Sequence, residues 1–282
     1  MMRVVEIRIY PVKGLRGLSV GDALVEPWGL AGDRRFMVVD RDGRYLTQRQ
    51  LPRMALIETG FVAGGIELSA PGADRIAVAT PDKGGPRTQV AIWRDRVAAR
   101  DAGAEAAAWL SVVLATPCRL VHMPDPDKAR PVDPGFAAAE DRVSFADGFP
   151  VLVTNAASLA DLNVRLERPV DMDRFRTNLV VDGAEPWDED DWRRLRVGAT
   201  FFAAPKDCAR CAVTTVDQAT GVRSDRDEPL RTLASFRRKA GGRIIFGQNL
   251  IPRTLGRIAV GQDVEPLAPQ SVRGRCDASE GA

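Results

Sequence analysis

The sequence predicts a mainly β protein with a few helices, of the α+β class, and three observations carry that prediction. Many short apolar segments are separated by Gly, Pro and Asp turns, whereas few segments have helical periodicity. Hydrophobic residues make up 45% of the 282 residues and charged residues 28%, which is typical of a soluble globular chain with a sizeable core. Short strands in such number favour a β-barrel over a parallel, doubly wound sheet.

The first 123 residues are predicted to form one β-rich module. Val5, Ile7 and Ile9 alternate with charged residues, as in a half-buried strand, and a Pro and Gly turn follows them. A helix is expected over 102–114, where apolar residues recur on one face. Further strands are expected at 18–25, 36–40, 54–62, 65–70, 75–80, 88–99 and 119–123.

A boundary between two modules is predicted after residue 123. Residues 124–134 contain four prolines and five charged residues, which is typical of an irregular linker. We therefore expect a second module over 124–267, and a small, polar, disordered tail over 268–282. Within the second module helices are expected at 156–167 and 228–239, and strands at 149–154, 175–181, 195–205, 213–216, 244–250 and 256–261.

Charge and local composition exclude several classes of protein. Forty basic and 38 acidic residues leave a net charge of +2, so nothing in the overall charge favours nucleic acid or an anionic membrane. No apolar run of about 18 residues occurs, so no transmembrane helix is expected. The N-terminal residues lack an apolar signal region and alternate like a strand, so we expect a cytoplasmic protein.

The numbers and positions of cysteine and histidine limit which metal sites and catalytic groups the chain can form. His122 is the one histidine, which leaves little material for zinc hydrolase sites or Ser-His-Asp triads, and we expect it in a strand. Cys208 and Cys211 flank Arg210, and a neighbouring guanidinium favours the thiolate, a soft metal ligand and nucleophile. A local disulfide, half a zinc site and plain packing are the alternatives. A strand predicted at 213–216 argues against a thioredoxin-type motif, which opens a helix.

Basic turns recur at the ends of predicted strands. Lys13 precedes Gly14, Arg34 and Arg35 follow a Gly-Asp turn, and Arg176 lies in a similar turn. Exposed N–H groups with Arg or Lys suit a phosphate, although each such turn alone is more often a surface salt bridge. Sequence alone does not bring these turns together in space.

Two further features have plain structural interpretations. Asp147 and Gly148 form an Asp-Gly pair that by itself predicts only a turn. The five tryptophans are expected to pack in the core, with Trp28, next to the Arg34 turn, the strongest candidate for another role, and Cys118 is expected to be buried.

Many of these motifs, in order from about residue 3 to 265, resemble the MOSC family, and in particular its branch with a β-rich N-terminal MOSC module, which includes the amidoxime-reducing components. The motifs are Tyr10-Pro11-Val12-Lys13-Gly14, Gly32-Asp33-Arg34-Arg35-Phe36, Leu46-Thr47-Gln48-Arg49-Gln50, Phe145-Ala146-Asp147, Arg174-Phe175-Arg176-Thr177-Asn178, Cys208-Ala209-Arg210-Cys211, Thr214-Thr215-Val216-Asp217 and Phe246-Gly247-Gln248-Asn249.

The resemblance implies a molybdenum-pterin cofactor whose metal takes the Cys211 thiolate, a soft ligand suited to it. It implies that Asp147, Gly148 and Thr154 lie near the metal. The residues implied to bind the pterin and its phosphate are Lys13, Gly14, Arg35, Arg176, Asn178 and Arg210.

The sequence departs from the family pattern at two positions. Gly14 stands where many relatives have Ser, and Thr177 where they usually have Pro. Some relatives also carry an iron–sulfur domain held by four cysteines, but only Cys276 follows Cys211, so no intrinsic cluster is expected.

The implied activity is reduction of N-hydroxylated or N-oxygenated compounds, with Asp147 passing or accepting a proton. Electrons would come from a separate protein of the ferredoxin, flavoprotein or cytochrome type. The alternative is a carrier of sulfur or of the molybdenum cofactor that uses a cysteine persulfide. A zinc-stabilised structural module is a weaker third, since no second ligand pair is visible.

Overall fold

A computed structural model describes residues 1–82, 84–124, 126 and 130–268. The predicted mainly β class is confirmed, with three α-helices in the described part of the chain. The predicted tail from 269 onward, with Cys276, lies outside the described residues. No helix among the described residues is long and apolar enough to cross a membrane.

Twelve strands and one helix precede residue 124. They are β1 (Met2–Ile9), β2 (Val12–Lys13), β3 (Leu18–Val20), β4 (Asp22–Glu26), β5 (Gly29–Leu30), β6 (Phe36–Val39), β7 (Glu58–Val62), β8 (Gly65–Ala70), β9 (Ala73–Ala79), β10 (Arg87–Ile92), β11 (Asp95–Asp101), α1 (Ala104–Leu114) and β12 (Arg119–His122).

Nine strands and two helices follow. They are β13 (Arg130–Pro131), β14 (Arg142–Val143), β15 (Val151–Asn155), α2 (Ala156–Val164), β16 (Leu179–Asp182), β17 (Arg194–Val197), β18 (Thr200–Ala209), α3 (Leu230–Phe236), β19 (Ile245–Pro252), β20 (Gly256–Ala259) and β21 (Asp263–Leu267).

Seven strands close into a β-barrel in the order β1-β16-β15-β19-β18-β17-β21, and β21 pairs back onto β1. Closure leaves no unpaired strand edge. Val4, Ile7 and Ile9 of β1 are buried in the barrel core, whereas Val5 is 46% exposed. A register shift between Val4 and Glu6 moves the inward face by one residue from the predicted alternation.

The N-terminal strand thus completes a barrel whose other strands all follow residue 150. The predicted module boundaries stay a prediction. Hydrogen bonds between β1 and β16 join the first predicted module to the second. The rest of the first half forms a five-stranded sheet, β10-β11-β12-β6-β2, and a three-stranded sheet, β7-β8-β9. Helix α1 packs its buried Leu110 and Leu114 against this part of the structure. Cys118 and His122 are buried in or beside β12, as expected.

One predicted strand begins later than expected, and another is wrong. Residues 54–56 of the predicted strand 54–62 belong to the 3₁₀-helix Pro52–Leu56, and the strand itself runs over Glu58–Val62. The predicted strand 213–216 is the 3₁₀-helix Ala212–Thr215. The hydroxyl groups of Thr214 and Thr215 bond back to the carbonyls of Cys211 and Ala212, and such local bonds outweigh the strand preference of β-branched residues.

A buried carboxyl group lies in the 3₁₀-helix Asp188–Asp191. Glu189 is fully buried, its Oε2 accepts a 2.6 Å hydrogen bond from Ser158, and its Oε1 has no partner among the described residues. Burial raises the pKa of Glu189 to about 7, because desolvation disfavours the carboxylate, and the Ser158 hydrogen bond offsets only part of this.

The free energy of unfolding should therefore fall as pH rises from about 4.5 to 7. In that window the native Glu189 holds a proton that the unfolded chain has released, so the unfolded state is favoured as pH rises, by up to about 3 kcal/mol in total. Urea unfolding at pH 5 and pH 8 measures this. Glu189→Gln should flatten the difference and exposed Asp191→Asn should not; equal pH dependence in both variants would contradict the assignment.

Candidate functional site

A cavity of about 290 Å³ opens where one end of the barrel meets the N-terminal half. Strand β18 and the following turn form one wall, the β2 turn and the loop after Tyr45 form another, and the Asp147 and Arg176 loops complete it. The lining residues are Lys13, Gly14, Arg34, Leu46, Thr47, Gln48, Arg49, Ala146, Asp147, Gly148, Phe149, Leu152, Phe175, Arg176, Asn178, Lys206, Asp207, Cys208, Ala209, Arg210, Cys211, Val213, Thr214 and Asn249.

Lys13 and Asp147 meet in this cavity although 134 positions separate them in sequence. The Lys13 ammonium is buried and donates to Asp147 Oδ1, whose side chain is 69% exposed at the mouth. Burial lowers the pKa of Lys13, and the carboxylate opposes this only in part. Partial desolvation at the mouth of the cavity would raise the pKa of Asp147, but Lys13 holds it well below its usual range, so this carboxylate is ionised at neutral pH.

Two arginines stack on one buried tyrosine. The guanidinium carbons of Arg34 and Arg176 lie 4.3 and 4.4 Å from the centre of the Tyr10 ring. Arg34 is paired with buried Asp33, whereas among the described residues the Arg176 guanidinium donates only to the carbonyl of Leu15, at 2.8 Å. Burial lowers the pKa of Arg176 to about 10. A half-buried guanidinium without a carboxylate partner favours an anion beside it.

Asn178 holds Arg34 in place. Its Oδ1 accepts from Arg34 at 2.9 Å, and its amide nitrogen donates to the carbonyl of Arg8 and to Asp33. Since these bonds to the protein occupy the amide, we infer that Asn178 positions the arginine more than it contacts a ligand.

The two cysteines of the Cys-x-x-Cys stretch differ in environment. Cys208 lies on β18 and accepts a 2.8 Å hydrogen bond from Arg210, whose other nitrogen donates to the carbonyl of Phe175. Burial raises the pKa of the Cys208 thiol, and Arg210 opposes this. Cys211 is exposed to the cavity at the start of the 3₁₀-helix. The accessible thiol at the cavity is therefore that of Cys211.

Arg130 holds the loop that presents Asp147. Its side chain is 4% exposed and donates to three backbone carbonyls of this loop: to Ser144 at 3.0 Å, to Ala146 at 2.6 Å and to Asp147 at 3.1 Å. Its Nε also bonds at 2.8 Å to Asp95, the first residue after the turn of the β10–β11 hairpin. Sequence analysis missed this residue because it lies in the predicted linker, where only its charge is visible.

Two residues assigned to the site lie outside the cavity. Arg35 turns away, donating to the carbonyl of Met123 at 2.8 Å and lying near Trp28, so its neighbour Arg34 takes the position at the cavity. Thr154 is fully buried in β15, where its hydroxyl bonds to Thr177. Both positions depend on side-chain direction, which sequence proximity does not give.

Gly14 and Thr177, the two departures from the family pattern, lie in different surroundings. Gly14 lines the cavity with φ of +85°, and a Cβ there would lie 2.9 Å from Met54 Cε, so a serine would need local movement. Thr177 lies in the buried network below the cavity. Gly148 adjoins Asp147 with open space where a side chain would be.

The side chains of the cavity fit a phosphate-bearing anion. Six of the lining residues are cationic and two are acidic, and clustered cations raise the local concentration of anions. The Nε of Arg210 is buried without a hydrogen-bond partner among the described residues, so this donor is free for a ligand. Within that same part of the chain, no three His, Cys, Asp or Glu side chains are grouped to hold a metal ion.

Comparison with known proteins gives two family matches and several long relatives. Residues 1–117 match the family model of the MOSC N-terminal beta barrel domain, and residues 140–265 match that of the MOSC domain. The mitochondrial amidoxime-reducing component 1 of Mus musculus is 37% identical over 93% of this chain and 81% of its own length. The human component 1 is 36% identical over 93% and 82%, and component 2 of Bos taurus is 36% identical over 83% and 72%.

Proposed function

The chain belongs to the MOSC family, with the N-terminal beta barrel domain ahead of the MOSC domain, and we propose that it is a molybdenum-cofactor-dependent reductase of N-hydroxylated compounds. One observation carries the proposal: an exposed thiol, Cys211, opens onto a cavity lined by six cationic side chains. That pair of features suits a soft metal held by one protein thiolate and an anionic pterin phosphate. Relatives named for amidoxime reduction support the reaction class.

In this proposal Cys211 provides the protein ligand to the metal. The anionic part of the cofactor would be bound by Arg34, Arg176 and Arg210. Asn178 holds Arg34 in position, and Arg210 can donate from its Nε, which has no partner among the described residues. When bound, the cofactor would supply the two-electron chemistry that removes oxygen from nitrogen.

The protein would control protons through Lys13 and Asp147. Reduction of an N–OH group to N–H takes up two electrons and two protons and releases water. Since Lys13 holds the pKa of Asp147 low, the carboxylate is suited to accept a hydrogen bond from the substrate nitrogen. The Lys13 ammonium, with a pKa lowered by burial, is the better proton donor. Of the two proton roles that the sequence predicts for Asp147, passing or accepting, the proposal keeps the accepting one and gives donation to Lys13.

The electrons would come from a separate ferredoxin-, flavoprotein- or cytochrome-type protein, and we keep a cytoplasmic location as part of the proposal. The relatives named above carry the word mitochondrial in their own names. Cell fractionation with a tagged full-length chain tests the location.

The proposal is tested by metal and pterin analysis joined to turnover. Freshly purified protein should contain molybdenum in proportion to the chain, release a fluorescent pterin on oxidation, and reduce benzamidoxime to benzamidine with a chemically reduced viologen dye. A carrier function has one feature in its favour, the exposure of Cys211. A persulfide on Cys211 with neither molybdenum nor turnover would replace the reductase by that carrier.

A further inference from the structure

A groove of about 440 Å³ lies beside the cavity and continues from it, since Thr47 and Arg49 line both. The groove is formed by the segment after β6 and by the tip of the β10–β11 hairpin. Its lining residues are Arg44, Tyr45, Thr47, Arg49, Gln50, Ala91 and Trp93.

Trp93 is an unusual residue for its position. It is the first residue of the two-residue turn between Ile92 and Asp95, with φ of +54°, a conformation that favours glycine. Its side chain is also 50% exposed, so packing in a core does not explain it. An exposed aromatic residue in an unfavourable backbone conformation next to a cavity indicates a binding role.

The contacts of Trp93 hold it against the cavity. Its indole nitrogen donates to Asp147 Oδ1 at 3.3 Å, and its ring centre lies 5.5 Å from that of Tyr45. The Arg49 guanidinium lies 4.9 Å from the indole ring and bonds to the Tyr45 hydroxyl at 3.4 Å. The Asp95–Arg130 pair fixes the end of this turn. The aromatic pair is therefore joined to the loop that presents Asp147.

The groove is cationic. Neither Arg44 nor Arg49 has a carboxylate within ion-pair distance among the described residues, and no lining residue of the groove is acidic. Two arginines without acidic partners beside two aromatic rings match a flat ring that carries an anionic group.

We propose that this groove binds the non-reacting end of the substrate as an aryl acid, an aromatic ring bearing a carboxylate. The ring lies against Trp93 and Tyr45, and the carboxylate pairs with Arg44 and Arg49. Because the groove opens into the cavity at Thr47 and Arg49, the other end of the same molecule, the N-hydroxylated group, lies in the cavity near Asp147. This inference rests on the proposed function and adds a substrate class to it.

The test compares 4-carboxybenzamidoxime with benzamidoxime, which lacks the charge. In the unaltered protein the carboxylated compound should have the higher kcat/KM, through a lower KM. Arg44→Gln should lower the ratio of the two kcat/KM values about tenfold, the effect of losing one charge-assisted hydrogen bond. Arg41→Gln, an exposed arginine outside the groove, removes the same charge and should leave the ratio unchanged.

A binding measurement separates this inference from the proposed function. Calorimetric titration with 4-carboxybenzamide and benzamide requires no turnover. Tighter binding of the acid that is lost in Arg44→Gln, and weaker binding of both compounds in Trp93→Gly, would support the groove even if no reduction were seen. Equal binding of the two compounds, or an unchanged ratio in Arg44→Gln, would overturn it.

Discussion

Replacing Cys211 by alanine is expected to abolish N-hydroxyl reduction, by more than about a thousandfold in kcat. The thiol of Cys211 is the exposed one of the pair and opens onto the cationic cavity, whereas Cys208 is partly buried and hydrogen-bonded to Arg210, so the substitution removes the accessible soft ligand. Molybdenum content, fluorescent pterin and turnover are measured on the same preparation. The arginines remain in this variant, so some pterin should be retained while activity is lost.

Cys208→Ser is the matched control for this prediction. A serine hydroxyl can still accept the hydrogen bond that Arg210 donates to the Cys208 sulfur, so the arginine should keep its position. Molybdenum content and turnover should then stay near those of the unaltered protein. Full activity in Cys211→Ala, or loss of metal in Cys208→Ser alone, would show that the ligand has been assigned to the wrong cysteine or that there is none.

Local patterns gave much of the fold but not its closure. Strand positions and turns follow from alternation and from Gly and Pro, as in β8, which the structure places at the predicted residues 65–70. The pairing of β1 with β16, which closes the barrel, joins residues more than 170 positions apart. No periodicity in either segment specifies that partner, since any half-buried strand presents the same alternation.

In the site, too, residue types were predictable from sequence and their spatial arrangement was not. Lys13, Asp147, Arg176 and Cys211 were identified from their types and their motifs, and the structure brings them to one cavity. Which of two adjacent arginines faces it depends on backbone direction at the turn, which is why Arg35 was chosen and Arg34 is found.

Arg130 and Trp93 were missed for other reasons. Arg130 acts on backbone carbonyls that carry no sequence signal, and an exposed position for Trp93 contradicts the usual burial of tryptophan.

Replacing Arg176 by methionine should change anion binding and stability in opposite directions. Arg176 is half-buried beside Arg34 and lacks an acidic partner of its own, and the fall in its pKa to about 10 reflects the cost of burying its charge. That cost applies at every pH below about 10 and is relieved only above it, because the folded state then binds fewer protons than the unfolded chain. Methionine has similar length without the charge.

The protein without cofactor should therefore be more stable as Arg176→Met, by about 1 kcal/mol in the free energy of unfolding, since a poorly compensated charge has been removed. The same variant should bind pyrophosphate at least about tenfold more weakly, because one guanidinium contact to the anion is lost. Thermal unfolding with and without pyrophosphate measures both effects: the starting transition temperature rises and the increase caused by the anion shrinks.

Arg41→Met provides the control, since it removes the same charge from an exposed position outside the cavity and should leave the response to pyrophosphate unchanged. Arg176→Lys should retain part of the response, because the ammonium keeps the charge but not the planar fork. If Arg176→Met lowered stability and preserved the response to pyrophosphate, Arg176 would be a structural arginine that stacks on Tyr10, and the anion would be bound by Arg34 and Arg210 without it. Lower stability with retained pyrophosphate binding would therefore assign Arg176 a structural role on the Tyr10 ring. Higher stability with weakened pyrophosphate binding would assign it to the anion site.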